Sequence, residues 1–156
     1  MMPEVKVINL FEGCTMTSGA TVFDAVDTKG FDACVIALVA GTGDAASTAV
    51  TTLQLCESDT DPTDYTDGTA VTSFVGAAAT STSAGFVLPA LSSSVQNIFQ
   101  MNVDLRGRKR YLGINFAPEK QTVGVGCVAV LMRPENTEEI ATIGTATAGL
   151  RLLQRG

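Results

Sequence analysis

Histidine and tryptophan are absent from this chain, and aromatic residues make up only 6% of its 156 residues. Without histidine the chain lacks the commonest general base and the commonest imidazole ligand of metals. Nucleophile pairs of the Ser–His and Cys–His kinds are therefore excluded. The few lysines lie in no catalytic motif. We expect a protein that is not an enzyme and that has no catalytic residue, no cofactor and no metal centre.

A long apolar run and a surplus of basic residues are missing as well. The longest uninterrupted apolar run, Cys34 to Ala40, is far shorter than the ~20 residues that a membrane-spanning helix needs. The net charge of −6 opposes binding to nucleic acid. The chain begins Met-Met-Pro-Glu, without the basic and apolar segments of a secretory signal. The sequence therefore predicts no membrane partner, no nucleic-acid partner and maturation in a reducing cytoplasm.

The four cysteines show no spacing of the CxxC type. Cys34, Cys56 and Cys127 lie in apolar, strand-like runs, where a buried free thiol behaves as a small hydrophobic side chain. Metal and redox sites bring their cysteines together at characteristic spacings. We therefore predict that these thiols are structural.

The apolar residues that are present occur in short runs, separated by glycine, proline, aspartate and Ser/Thr clusters. Several runs alternate with a period of two, which is the pattern of a half-buried β-strand. Cys34 to Val39 is continuously apolar and predicts a strand that is buried on both faces. Gly124 and Gly126 predict a bulge or a close backbone approach in the last strand. The candidate strands are Val5 to Phe11, Ala20 to Phe23, Cys34 to Val39, Thr51 to Cys56, Val71 to Val75, Val95 to Leu105, Tyr111 to Phe116 and Val123 to Met132.

These strands and the turns between them predict an all-β fold, a jelly roll or β-sandwich of about eight short antiparallel strands with extended N- and C-terminal segments. With 46% hydrophobic residues the chain can bury one core, and its length fits one domain. We predict an N-terminal arm or edge strand over residues 1–12, the β-sandwich domain over 13–133 and a C-terminal tail over 134–156. The tail has weak periodicity, which is typical of a segment that a partner orders.

An acidic segment, Glu57 to Gly68, places five carboxylates within eleven residues. Oxygen-rich loops can hold Ca²⁺, but the spacing departs from the EF-hand pattern and no flanking helices are predicted. A glycosidase would need two carboxylates fixed across a cleft, whereas these lie on one loop. The composition favours a solvated turn in which aspartates bond nearby backbone groups. Whether the segment also binds a cation stays open.

A basic cluster, Arg106, Arg108, Lys109 and Arg110, holds four of the ten basic residues. It could be a nucleic-acid patch, but no interleaved aromatic residues support that interpretation. It could be a turn between two strands with solvated cations. It could also meet acidic groups on a neighbouring subunit, a pairing for which arginine is better suited than lysine.

Several segments together resemble the small cement or decoration proteins of tailed-phage capsids, of the jelly-roll type. The matching segments are Thr52 to Asp59 (TLQLCESD), the Tyr-Thr-Asp turn at Tyr65 to Asp67, Arg106 to Leu112 (RGRKRYL) and Val125 to Pro134 (VGCVAVLMRP). Gly113-Ile114 departs from the family, which often has an arginine followed by leucine or valine there. These are strand and turn patterns, so no functional residue is transferred individually.

The resemblance implies a structural virion protein that binds the outer surface of an icosahedral capsid and cements neighbouring subunits. Its partners would be the major capsid protein and other copies of itself, as a homodimer or homotrimer. It would be localised on the capsid exterior after assembly in the host cytoplasm. We expect the arm and the tail to act as clamps. The predicted interface residues are Val5, Val7, Leu10, Phe11, Arg106, Arg108, Lys109, Arg110, Leu150, Leu152 and Leu153.

Two other functions are compatible with the same composition. One is a carbohydrate-binding jelly roll that serves in adhesion, although the few aromatic residues speak against a sugar platform. The other is a tail or head-completion protein of the virion.

Overall fold

Eight β-strands and one short 3-10 turn form the secondary structure of the described part of the chain. The computed structural model describes residues 5–17, 19–43, 49–74, 84–119 and 122–134, and no α-helix occurs within these ranges. Residues 135–156 of the predicted tail, including Leu150, Leu152 and Leu153, lie outside them. The strands are β1 (Val5–Met16), β2 (Val22–Asp27), β3 (Phe31–Ala40), β4 (Val50–Ser58), β5 (Thr69–Val71), β6 (Asn97–Asp104), β7 (Tyr111–Pro118) and β8 (Val123–Pro134), and the 3-10 turn is Tyr65–Asp67.

The strands form two antiparallel sheets of four strands each. The first sheet has the order β1-β8-β3-β6, and the second has the order β2-β7-β4-β5. Within the sheets β1 pairs with β8, β2 with β7, β3 with β6 and β4 with β5. The first four strands thus pair with the last four to form one long antiparallel ribbon. This ribbon is rolled into the two sheets. This nesting is the topology of a jelly roll, so the predicted all-β fold of about eight antiparallel strands is confirmed.

The core lies between the sheets and is built from the inward residues of both. In the second sheet Leu53 is paired with Phe116 and Leu55 with Ile114, and all four side chains are at most 2% exposed. Ile36 of the first sheet belongs to the same apolar cluster and is fully buried. Burying one such side chain contributes about 1.5–3 kcal/mol. The alternation along each strand therefore decides which of its faces points inward.

β1 is an edge strand whose alternation is broken twice. Its register against β8 shifts on both sides of Phe11, and the second shift lies opposite Gly126. The bulge predicted from the glycines of β8 thus lies in the partner strand. An extra residue lets two consecutive side chains face one side, and Leu10 and Phe11 are only 5% and 2% exposed. Both were predicted as interface residues, but they are core residues of the sandwich, whereas Val5 is half-buried and Val7 is exposed on the same edge strand.

The apolar run of β3 differs from its prediction. Ile36 and Leu38 are fully buried, whereas Val39 is 40% exposed and Val35 and Ala37 are half-buried. The prediction that both faces are buried is therefore wrong. The sheet is antiparallel and, within the described residues, no second layer covers its outer side. The run Cys34 to Ala40 of β3 is continuously apolar, although only one face of the strand lies in the core.

The cysteines of the strands are buried, free thiols. Burial raises the pKa of Cys34 and Cys127 to about 12, and that of Cys56 to about 11. These thiols stay protonated at neutral pH, where they are poor nucleophiles and poor metal ligands. Cys14 is also a free thiol and is only partly buried. The buried three pack as small apolar side chains, as predicted.

Candidate functional site

The outer face of the first sheet carries a continuous apolar surface. Residues paired across antiparallel strands project to the same side, so the register of β1, β8, β3 and β6 determines which side chains share this face. Val35 lies between Val130 and Asn102, and Ala37 lies between Val128 and Gln100. We define the apolar face by its outward apolar residues, which are Val7, Val35, Ala37, Val39, Ile98, Val128 and Val130.

The apolar face is open to solvent in the single chain. Ile98 is 69% exposed, Val7 57% and Val39 40%, and these are three of the five exposed large apolar residues among the described positions. The polar residues in the same rows carry no charge. They are Asn9 on β1 and Gln100 and Asn102 on β6. An antiparallel sheet with one solvated face normally alternates apolar-in and polar-out. A solvated face of valine and isoleucine is typical of a surface that becomes buried against another protein.

The outer face of the second sheet has a different character. Gln54 and Asn115 are paired there, and Asn115 Nδ2 donates a hydrogen bond to Gln54 Oε1 at 3.4 Å. The ring of Phe23 lies across Gly113, because a Cβ placed on that glycine would be 2.7 Å from the ring. The same Cβ would be 2.9 Å from Cys56 Sγ. This face is therefore polar in part and covered by its own side chains in part.

The loop from β6 to β7 presents the basic cluster at one end of the sandwich, and its cations pair within the chain. Arg110 makes a two-pronged contact with Asp27, with its Nε and Nη2 at 3.0 and 2.6 Å from the carboxylate. This contact lowers the pKa of Asp27, against a smaller opposing effect of burial. The prediction that these cations meet acidic groups of a neighbouring subunit stays untested. The other pairs are Arg106 with Asp104 at 2.6 Å, Arg108 with Glu57 at 3.2 Å and Lys109 with Asp59 at 3.9 Å.

The acidic segment uses its carboxylates to fix its own backbone. Asp67 Oδ2 accepts hydrogen bonds from the N–H groups of Thr63 and Asp64, at 3.0 and 3.1 Å. Asp64 Oδ1 in turn accepts from the N–H of Thr66 at 2.9 Å. The bonds from Thr63 are the main reason that the pKa of Asp67 lies below its usual range. The segment is thus the hydrogen-bonded turn that its composition predicts. Across the described residues no group of three His, Cys, Asp or Glu side chains is placed to hold a metal ion.

A groove of about 790 Å³ runs along β6. Phe74 and Phe86 meet edge to face beside it, with ring centroids 5.4 Å apart. Sequence reasoning missed this groove because its walls come from segments far apart in the chain. Its charged lining residues are Asp104 and Arg108, each of which already has an ionic partner. The groove therefore offers apolar contact and no acid, base or nucleophile aimed at a common point.

Comparison of this chain with protein-family models, with curated proteins and with solved structures finds no match. No helix in the described ranges has the length and apolar character of a membrane span. The functional argument therefore rests on the residues of the chain and on their arrangement, and the apolar face is the feature that the fold itself does not require.

Proposed function

We propose that this protein is a structural virion protein that binds the outer surface of an icosahedral phage capsid and cements neighbouring capsid subunits. The sequence resemblance to jelly-roll cement proteins motivates the proposal. The observation that carries it is the apolar face, because a cement protein must bury an outer surface against other proteins. The basic cluster, whose four cations pair within the chain, and the acidic segment, whose Asp64 and Asp67 bond its own backbone, contribute less.

The size of the apolar face favours many weak contacts over one strong contact. Four strands about 4.8 Å apart and three outward rows about 6.8 Å apart span roughly 400 Å². A standard protein interface takes about 800 Å² from each partner. One copy would therefore bind weakly, and several copies that engage one shell would gain affinity through multivalency.

The test is co-sedimentation of the full chain with empty shells assembled from the major capsid protein of the same phage. The informative variant is V7K/V39K, which places cations on two exposed positions of the apolar face. We expect it to weaken shell binding by at least about tenfold, because buried unpaired charges oppose docking. The matched control is A70K, at an exposed position on β5 of the second sheet, which should bind like the natural chain.

Two outcomes would contradict the proposal. Shell binding that V7K/V39K leaves unchanged would show that the apolar face is not the docking surface. Absence of binding by the natural chain would remove the cement function altogether.

The number of copies per particle separates the remaining virion roles, since hundreds indicate shell decoration and about a dozen or fewer indicate a tail or head-completion part. Saturable binding to a glycan array would favour the adhesion module instead.

A further inference from the structure

The four edge strands of the two sheets differ in how they are protected from pairing with another chain. Native proteins protect edges with bulges, charges or short strands. β1 has two register shifts and carries Lys6, β2 carries Asp24 and Asp27, and β5 has only three residues. β6 has eight residues in unbroken register with β3, and its only charge, Asp104, is at its end. Among the described strands β6 is therefore the long edge without such a device.

The hydrogen-bond phase of β6 shows which backbone groups face its open edge. The N–H of Leu105 donates to the carbonyl oxygen of Asp32 at 2.9 Å, one step beyond the last pair of β3 and β6. In an antiparallel ladder, hydrogen-bonded pairs alternate with pairs that are not bonded. The odd-numbered residues of β6 therefore bond to β3. The even-numbered residues Ile98, Gln100 and Asn102 direct their N–H and C=O groups to the open edge.

These edge groups have no partner within the described part of the chain. The hydrogen bonds there include none to the backbone N–H or C=O of Ile98, Gln100 or Asn102. All three residues are exposed. The edge is thus a solvated row of backbone donors and acceptors beside an apolar face.

We infer that β6 of one copy pairs antiparallel with β6 of a second copy, about a two-fold axis at Gln100, to form one continuous sheet of eight strands. In this register Ile98 lies opposite Asn102 of the partner subunit, and Gln100 lies opposite the partner's Gln100. Each bonded pair of an antiparallel ladder exchanges two N–H···O bonds. A second copy therefore supplies hydrogen-bond partners for the backbone N–H and C=O groups at the open edge of β6.

Charge favours a second copy as the occupant of this edge. The chain carries a net charge of −6, so two copies repel wherever their acidic surfaces meet. Between Asn97 and Val103 β6 has no charged residue, and the two-fold register places no like charges opposite each other, which would be destabilising. β6 is therefore an edge at which two copies can pair without bringing like charges opposite each other.

The dimer deepens the proposed cement function, on which its biological role rests. It would join two apolar faces into one of roughly 800 Å², the area that one partner gives to a standard interface. The paired edge itself is about 27 Å long and about 10 Å thick, and thus far smaller than a stable interface. We therefore expect dimerisation in solution to be weak and concentration-dependent.

The test is sedimentation velocity of the full chain from about 10 µM to about 1 mM, a range suited to weak association. The natural chain should shift from monomer toward dimer. Q100P removes an outward N–H without touching the bonds to β3, a position where an edge strand tolerates proline, and should stay monomeric. Q100T changes the same side chain but keeps the N–H, and should dimerise like the natural chain.

A natural chain that is monomeric throughout this range would overturn the inference, as would equal dimerisation of Q100P. If Q100P does not fold, hydrogen exchange of the natural chain replaces it. The amides of Gln100 and Asn102 should then be protected at high concentration and unprotected at low concentration, and equal exchange would overturn the inference. V7K/V39K should dimerise normally, so a failure of shell binding and a failure of dimerisation are distinguishable.

Discussion

The two sheets of this jelly roll have equal numbers of strands but opposite outer faces. On the outer side of the first sheet, the apolar face presents exposed valine and isoleucine, and the polar residues in its rows carry no charge. The outer face of the second sheet carries the Gln54–Asn115 pair and a glycine covered by Phe23. Both sheets contribute inner faces to one core. Formation of that core therefore does not explain why their outer faces differ. The core does not need an apolar outer face, and this face is the feature on which the proposed docking to other proteins rests.

The largest expected loss of stability distinguishes residues on the inner faces of the sheets from residues on the outer faces. Ile114 is fully buried in the second sheet. Ile114→Ala should lower the free energy of unfolding by about 2–5 kcal/mol, because the change leaves a cavity. Val39→Ala on the apolar face should cost less than about 1 kcal/mol, since the valine is partly solvated already. Urea denaturation of both variants measures this. Equal losses would show that the apolar face is part of the folding core.

A second comparison concerns glycines on the two outer faces. Gly113→Ala should destabilise by about 1–3 kcal/mol, because the new methyl group overlaps the ring of Phe23 and Cys56 Sγ. Gly126→Ala in the first sheet should be neutral or slightly stabilising, since a Cβ there meets nothing within 4 Å. Thermal denaturation of the two variants gives the answer. Destabilisation by Gly126→Ala would mean that the first sheet is more tightly covered than its register indicates.

The smallest effect concerns the thiols on the inner side of the first sheet. Burial raises the pKa of Cys34 and Cys127 to about 12, above the value near 9 of an exposed thiol. Above pH 9 the folded chain therefore binds more protons than the unfolded chain. The contribution of these thiols to the free energy of unfolding is fully present below pH 9 and decreases as the pH rises toward 12. The loss should be on the order of 1 kcal/mol by pH 9.5. Denaturation at pH 8 and pH 9.5 measures it. C34V/C127A should show a shallower decline, and an equal decline would assign the effect to other groups.

The local hydrophobic pattern was sufficient to predict the position of a strand where that strand has one clear apolar face. Tyr111 to Phe116 alternates strictly and lies in β7, and Thr51 to Cys56 lies in β4. The prediction for β2 began too early, at Ala20, and missed Asp24 and Asp27, because these aspartates project from an edge strand and resemble turn residues. Leu10 and Phe11 were predicted as interface residues of an N-terminal arm or edge strand, because the sequence does not reveal the bulges that turn both side chains inward.

The amino-acid sequence by itself determined that this chain is all-β, has no histidine and carries a net charge of −6. Those properties depend on composition and on a period of two, which are local. Only the tertiary structure decided which apolar residues stay outside the core. Val35, Val39, Val128 and Val130 are indistinguishable in sequence from core residues. The register of four strands brings them together on one exposed face, because side-chain direction depends on pairing across the sheet.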